Sequence, residues 1–135
     1  MKDVPDMHAR VHRTLKPLAR FRQISEVTQS LPHPRLADGD ELLGVYENEP
    51  SELNHYIIVG AKGIYIDHGD AWRFIPYEVM TKTVLPEGDK HAIDRLTIKL
   101  MNGDSIVMAV SGGDNKFRDV FEIVRFLDRV IPKHL

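Results

Sequence analysis

Apolar positions along this chain follow one period, then another, then the first again. Near the N-terminus the row Leu18, Phe21, Ile24, Val27 and Leu31 recurs at steps of three and four, which predicts a helix. Pro17 is tolerated in a first turn but breaks an interior, so regular helix is expected to start near Thr14 to Pro17. Leu31-Pro32-His33-Pro34-Arg35 ends it, because a residue that precedes proline is pushed out of the α region. The chain is thereby divided into a helical arm, residues 1–35, and a body, residues 36–135.

From Glu41 the period is two. Leu43 and Val45, Ile57 and Val59, Ile64 and Ile66, and Trp72 and Phe74 alternate on short runs, as strands with one buried face do. Gly60-Ala61-Lys62-Gly63 reads as a tight hairpin whose glycines are free to take positive φ, and Asp67-His68-Gly69-Asp70 as the next turn. Another strand is expected between Tyr77 and Leu85. Leu96, Ile98 and Leu100 alternate up to Asn102-Gly103, and Ile106, Met108 and Val110 alternate away from it, the strongest short hairpin signal in the chain. Asp114 then offers an N-cap to a closing helix with the apolar stripe Phe117, Val120, Phe121, Val124, Leu127 and Ile131, stopped by Pro132. The fold class these patterns give is mainly β (α+β). About seven antiparallel strands form a barrel or sandwich, capped by a C-terminal α-helix and preceded by an N-terminal helical arm.

Composition narrows the function classes. The 135 residues contain no cysteine, which excludes a disulfide framework, a thiol nucleophile and Cys-based metal centres. A net charge of -2 argues against a chain whose main business is coating nucleic acid. The charge is unevenly spread: residues 1–35 balance at +4 and the remainder at -6. No apolar run reaches membrane-spanning length, and the first 25 residues show no apolar signal-peptide core, so a cytoplasmic setting is expected.

Three segments carry a resemblance. Tyr56 to Ile66 around Gly60-Ala61-Lys62-Gly63, then Trp72-Arg73-Phe74-Ile75-Pro76-Tyr77, then Leu96 to Val110 around the Asn-Gly turn, resemble the bacterial pleckstrin-homology-like families related to GRAM domains. The likeness spans about residues 41–131. It implies a pleckstrin-homology-like fold and, among the uses of that scaffold, lipid or protein recognition. Lipid-binding members carry Lys and Arg around the first hairpin loop, since phosphates need convergent cations. Here that loop reads Glu47-Asn48-Glu49-Pro50-Ser51-Glu52, with three carboxylates and no cation, so protein recognition is the expected use.

The candidate site residues are therefore partner-binding ones. Arg10, Arg13, Lys16, Arg20 and Arg22 form a basic helix side that suits an acidic partner or an anionic membrane surface. The plainer expectation is that the arm docks on its own acidic body, or on that of a second subunit in a homo-oligomer. Tyr56 and Tyr65 form a sticky surface if both point outward; packing against each other across the hairpin is the favoured alternative. Asp67, His68 and Asp70 approach Asp89 and His91 only if two turns meet; a solvated polar turn is the favoured reading, with a metal site or an unrecognised enzyme as the alternative. Ser111-Gly112-Gly113 is read as a turn and cap, not as a nucleophile elbow or phosphate cradle. No catalytic residue, metal or cofactor is expected, and the partner is expected to be a protein.

Overall fold

The computed structural model describes residues 7, 11, 14, 15, 18, 21–23, 36–48, 54–67, 71–88, 93–110 and 116–132. Among these, eight strands pair without exception in antiparallel fashion. They are β1 (Phe21–Gln23), β2 (Leu42–Glu47), β3 (Tyr56–Gly60), β4 (Gly63–Asp67), β5 (Trp72–Pro76), β6 (Met80–Val84), β7 (Arg95–Leu100) and β8 (Ser105–Ala109). One sheet holds β1-β2-β3-β4-β5 and the other β6-β7-β8, so the β framework is two open sheets and not a closed barrel. A 3-10 turn, Tyr77–Val79, occupies the start of the stretch read as one strand and carries the chain between the sheets. Helix α1 (Lys116–Val130) follows.

The inner faces of both sheets and one face of α1 share a single core. Tyr46, Ile57, Ile64 and Ile75 from the first sheet meet Leu96, Ile98, Ile106 and Met108 from the second, with Val120, Ile123, Phe126 and Leu127 of α1 closing the stack. The gap left beside Leu15, Phe21, Met108 and Phe126 amounts to about 10 Å³, too little for any ligand. Polar contacts at both ends fix the helix on the strands. The Tyr46 hydroxyl donates to Asp119 Oδ2 at 2.5 Å, with both side chains buried. At the other end of α1 the Thr83 hydroxyl donates to Asp128 Oδ1 at 3.1 Å.

The helix is rotated from its expected orientation. Val120, Leu127 and Ile131 of the expected stripe are buried, together with Ile123, Phe126 and Val130, whereas Phe121 is 44% exposed and Phe117 and Val124 are only half-buried. The apolar arc of this helix is wide enough to offer two faces about a quarter turn apart. Asp119 lies on the buried one, where Tyr46 satisfies it, and the Phe117–Phe121 row is left outside.

The N-terminal segment also differs. Val11, Leu15, Leu18 and Phe21 belong to the main core, and the Leu15 N–H donates to the Val11 carbonyl in a helical i to i-4 bond. Beyond that turn, Phe21–Gln23 is a strand paired with β2 through Phe21↔Tyr46, where the expected row placed helix. Pro17 and the β-forming edge of β2 outweigh the helical spacing there. The described residues before position 24 are thus built into the body. The rest of the expected arm helix, Ile24 to Leu31, and the Asp114 cap lie outside the described residues.

Hairpin glycines act by closeness instead of by positive φ. Gly60 and Gly63 both keep negative φ. A Cβ on Gly63 would run into the Ile75 carbonyl and into Phe74 Cε1 at 2.7 Å, so β4 and β5 lie together only because that position is bare. Gly103 behaves as expected, at φ 92° in the Met101-Asn102-Gly103 loop, with its N–H donating to the Leu100 carbonyl.

Candidate functional site

Three polar or exposed features stand out on this framework. The first is built on Asp40, in the loop before β2. Its Oδ1 accepts from the N–H groups of Glu41 and Lys62, both at 2.8 Å, and its Oδ2 accepts from the Tyr65 hydroxyl at 2.6 Å. Tyr65 oxygen in turn accepts from the Ala37 N–H at 2.9 Å. Gly60 permits this close approach, since a Cβ there would lie 2.6 Å from the Asp40 carboxylate. The Tyr77 hydroxyl donates to the Gly60 carbonyl beside it. The bonds of Asp40 and Tyr65 hold the loop before β2 to the β3–β4 hairpin, and that of Tyr77 holds the 3-10 turn to the end of β3.

Beside the cluster opens a cleft of about 660 Å³, lined among others by Asp38, Lys62, Phe74, Tyr77, Glu78 and Pro132. One cation faces two carboxylates across it, and the Lys62 ammonium is already directed to the Asp38 carbonyl at 3.3 Å. Such a charge balance repels a phosphorylated headgroup.

Burial drives the Tyr65 phenol up to about 12 from its ordinary 10.0, helped by the hydrogen bond to Asp40 and opposed by the Ala37 N–H. Burial likewise pushes Tyr77 well above its ordinary value, with the charges of Asp40 and Tyr65 adding to it. Between pH 10 and 12 the unfolded chain releases the Tyr65 proton while the folded chain keeps it, so stability falls as pH rises through that window. In urea titrations the stability gap between the wild type and Tyr65→Phe is therefore expected to be constant near neutrality and to narrow above pH 10. A gap unchanged to pH 12 contradicts a buried, donating phenol.

The second feature is a clamp of two buried amides. Asn48 Nδ2 donates to the Ala109 carbonyl at 2.8 Å and to the Asn54 carbonyl at 2.9 Å. Asn54 Oδ1 accepts from the Ala109 N–H at 2.9 Å, and its Nδ2 reaches the same carbonyl at 3.3 Å. The loop between β2 and β3 is thereby fastened to the end of β8, across the two sheets. Nearby, His55 Nε2 lies 3.4 Å from Glu47 Oε2 and its ring stacks on Tyr56.

The third feature is the outward face of β6-β7-β8. Register places Val84, Thr97 and Val107 in one row across the three strands, and Lys82, Lys99 and Ser105 in the next. Val84 is 38% and Val107 42% exposed. Lys82 stands directly opposite Lys99, a like-charge pair of the kind that weakens a sheet. Lys99 Nζ donates to Ser105 Oγ at 2.9 Å, and among the described residues Lys82 has no hydrogen-bonding or ionic partner. Met101 extends the face at the hairpin tip, 61% exposed.

The structure redistributes the expected site residues. Tyr65 is no surface residue: it is 2% exposed, stacks on Phe74 at 4.5 Å between ring centroids, and spends its hydroxyl on Asp40 and Ala37. Tyr56 is half-buried in the same small cluster, so the pair packs inward and makes no sticky patch. Arg10, Arg13, Lys16 and Arg20 lie outside the described residues, and Arg22 is placed by its backbone in β1, opposite Val45. Of the Asp/His turn only Asp67 is described. Among the described residues no three His, Asp or Glu side chains gather as a metal site would need, and no helix is long and apolar enough to cross a membrane. The Asn102-Gly103 turn sets only the β7–β8 register, Lys99 opposite Ser105, so the Lys82–Lys99 pair has no signal in the sequence and emerges from the β6–β7 register. Comparison of the chain with family models, with curated proteins and with solved structures gives no match.

Proposed function

We propose that this chain is a non-catalytic interaction module of pleckstrin-homology-like fold, working in the cytoplasm, that recognises a protein partner with the outward face of β6-β7-β8. The observation that carries the reading is the Lys82–Lys99 pair set beside exposed Val84 and Val107. A sheet face that keeps like charges in register and leaves aliphatic side chains in water sacrifices stability for contact. The meander of β2 to β5 followed by that of β6 to β8 and one closing helix favours the family likeness, with β1 as an added edge strand. Protein recognition is favoured over headgroup binding by the carboxylates that surround Lys62 and by Glu47 at the start of the first hairpin loop.

The double variant Lys82→Glu/Lys99→Glu tests this. Both side chains point away from the core, so the fold is expected to stay intact within about 0.5 kcal/mol. A partner retained by the wild-type chain from native extract is expected to be lost by at least about tenfold, since two contacts turn repulsive. Equal retention by the variant contradicts the assignment of this face. Co-sedimentation with anionic vesicles that depends on residues 1–35 would instead favour a membrane surface as the target.

A further inference from the structure

The hairpin of β7 and β8 divides the backbone of β8 into two sets. Leu100 N–H donates to the Asp104 carbonyl and Val110 N–H to the Asp94 carbonyl, with the pairs Ile98↔Ile106 and Leu96↔Met108 between them. In an antiparallel ladder the residues that alternate with these turn N–H and C=O to the opposite edge. Ala109 shows the consequence, because its N–H and C=O leave β7 and are taken up by the side chains of Asn54 and Asn48. Two buried amides stand there in place of a neighbouring strand. Val107 and Ser105 present the same groups to the same edge, both residues are exposed, and no described residue pairs with those groups. A row of this kind is a template for another chain.

The side chains that flank the edge define what fits it. Ser105 has Lys99 beside it and Lys82 one strand further, while Val107 has Thr97 and then Val84. A strand laid against β8 sets alternate side chains on this outward face, one beside Ser105 and the next but one beside Val107. We propose that β8 captures an extended, acidic–apolar segment of a protein partner by strand addition, with a carboxylate beside Ser105 and Lys99 and an aliphatic side chain beside Val107. The inference rests on the reading of this sheet face as a recognition surface and names the chemistry and mode of its partner. Charge selects the occupant: a second copy of the chain would add its own Lys82 and Lys99 to a face that already holds that pair in register. Backbone bonds along the edge supply affinity, and the alternating side chains set the register.

The probe is a synthetic peptide that repeats acid–threonine–valine–threonine, titrated into the full chain, with a companion that carries lysine in place of the acid. Saturable binding of the acidic peptide is expected, with the basic one at least about tenfold weaker. Val107→Pro removes one N–H of the open edge and no bond to β7, a position where a strand tolerates proline; it is expected to weaken binding by at least about tenfold, as is Lys99→Glu. If Val107→Pro melts, the amide protons of Ser105 and Val107 in the wild-type chain give the same answer: they are expected to exchange more slowly once the acidic peptide is present. Binding that ignores Val107→Pro and leaves both amides unprotected overturns strand addition while the sheet-face reading stands. Binding indifferent to Lys82→Glu and Lys99→Glu as well overturns both. No binding of the acidic peptide at millimolar concentration, equal binding of both peptides, or a homodimer broken by Val107→Pro each overturns the proposal.

Discussion

Phe126→Ala is expected to lower stability by about 3–5 kcal/mol, a large part of what a domain of this size possesses. The side chain is 1% exposed and meets the Tyr77 ring edge-on at 6.1 Å between centroids, in the centre of the layer that α1 forms over both sheets. Truncation removes a full aromatic contact and leaves a cavity walled by two sheets and a helix, which have little room to collapse. Phe121→Ala provides the contrast. That ring is 44% exposed, and its loss is expected to cost no more than about 0.5 kcal/mol in the same urea titration. Were Phe121→Ala the more damaging change, α1 would dock through the stripe of Phe117, Phe121 and Val124 and the packing described above would be wrong.

Asn54→Ala is expected to lower stability by about 2–3 kcal/mol. The Ala109 N–H is left without an acceptor in a buried place, and one of the donors to the Ala109 carbonyl goes too. Relaxation is restricted because Asn54 sits on the loop between β2 and β3 while Ala109 ends β8, so the clamp joins segments that share no ladder. Asn102→Ala, in the exposed hairpin loop, loses only bonds to Asp104 and is expected to cost less than about 1 kcal/mol. Chemical denaturation compares the two; similar losses would mean that the clamp bears no more weight than a surface turn. The clamp also has a bearing on recognition, because it closes one end of the β8 edge and leaves Ser105 and Val107 as the free portion.

Strands and turns of the body were legible because their signals are local. Alternation at Ile57 and Val59 or Leu96 and Ile98 needs only a two-residue period, and Asn102-Gly103 states its own hairpin. Helix α1 was legible in type and extent but not in rotation, since its choice between two apolar faces is made by Asp119 meeting Tyr46, 73 residues away in sequence. Phe21 shows the same limit in the N-terminal segment. Its spacing from Leu18 is helical, yet an open edge on β2 draws Phe21–Gln23 into the sheet.

Site residues were harder to read for the same reason. Packing of Tyr65 across its hairpin is the reading the sequence favours, but the acceptor of its hydroxyl is not legible there, because Asp40 lies 25 residues earlier in a loop that the period of the strands does not place. Lys82 and Lys99 are ordinary solvated lysines in the sequence and become a paired feature only through the β6–β7 register, which a shift between Met80 and Lys82 displaces from simple counting. The partner roles expected of Arg10, Arg13, Lys16 and Arg20 rest on residues outside those described.

Amide hydrogen exchange along β8 of the free chain, read residue by residue, reports whether this strand keeps an open edge. Ile106 and Met108 are expected to exchange only on global opening and Ala109 slowly behind its amide clamp, while Ser105 and Val107 exchange within seconds although they sit in the same strand. Protection of Val107 equal to that of Ile106 would mean that the edge is already filled, and β8 would then have no free edge to offer a partner.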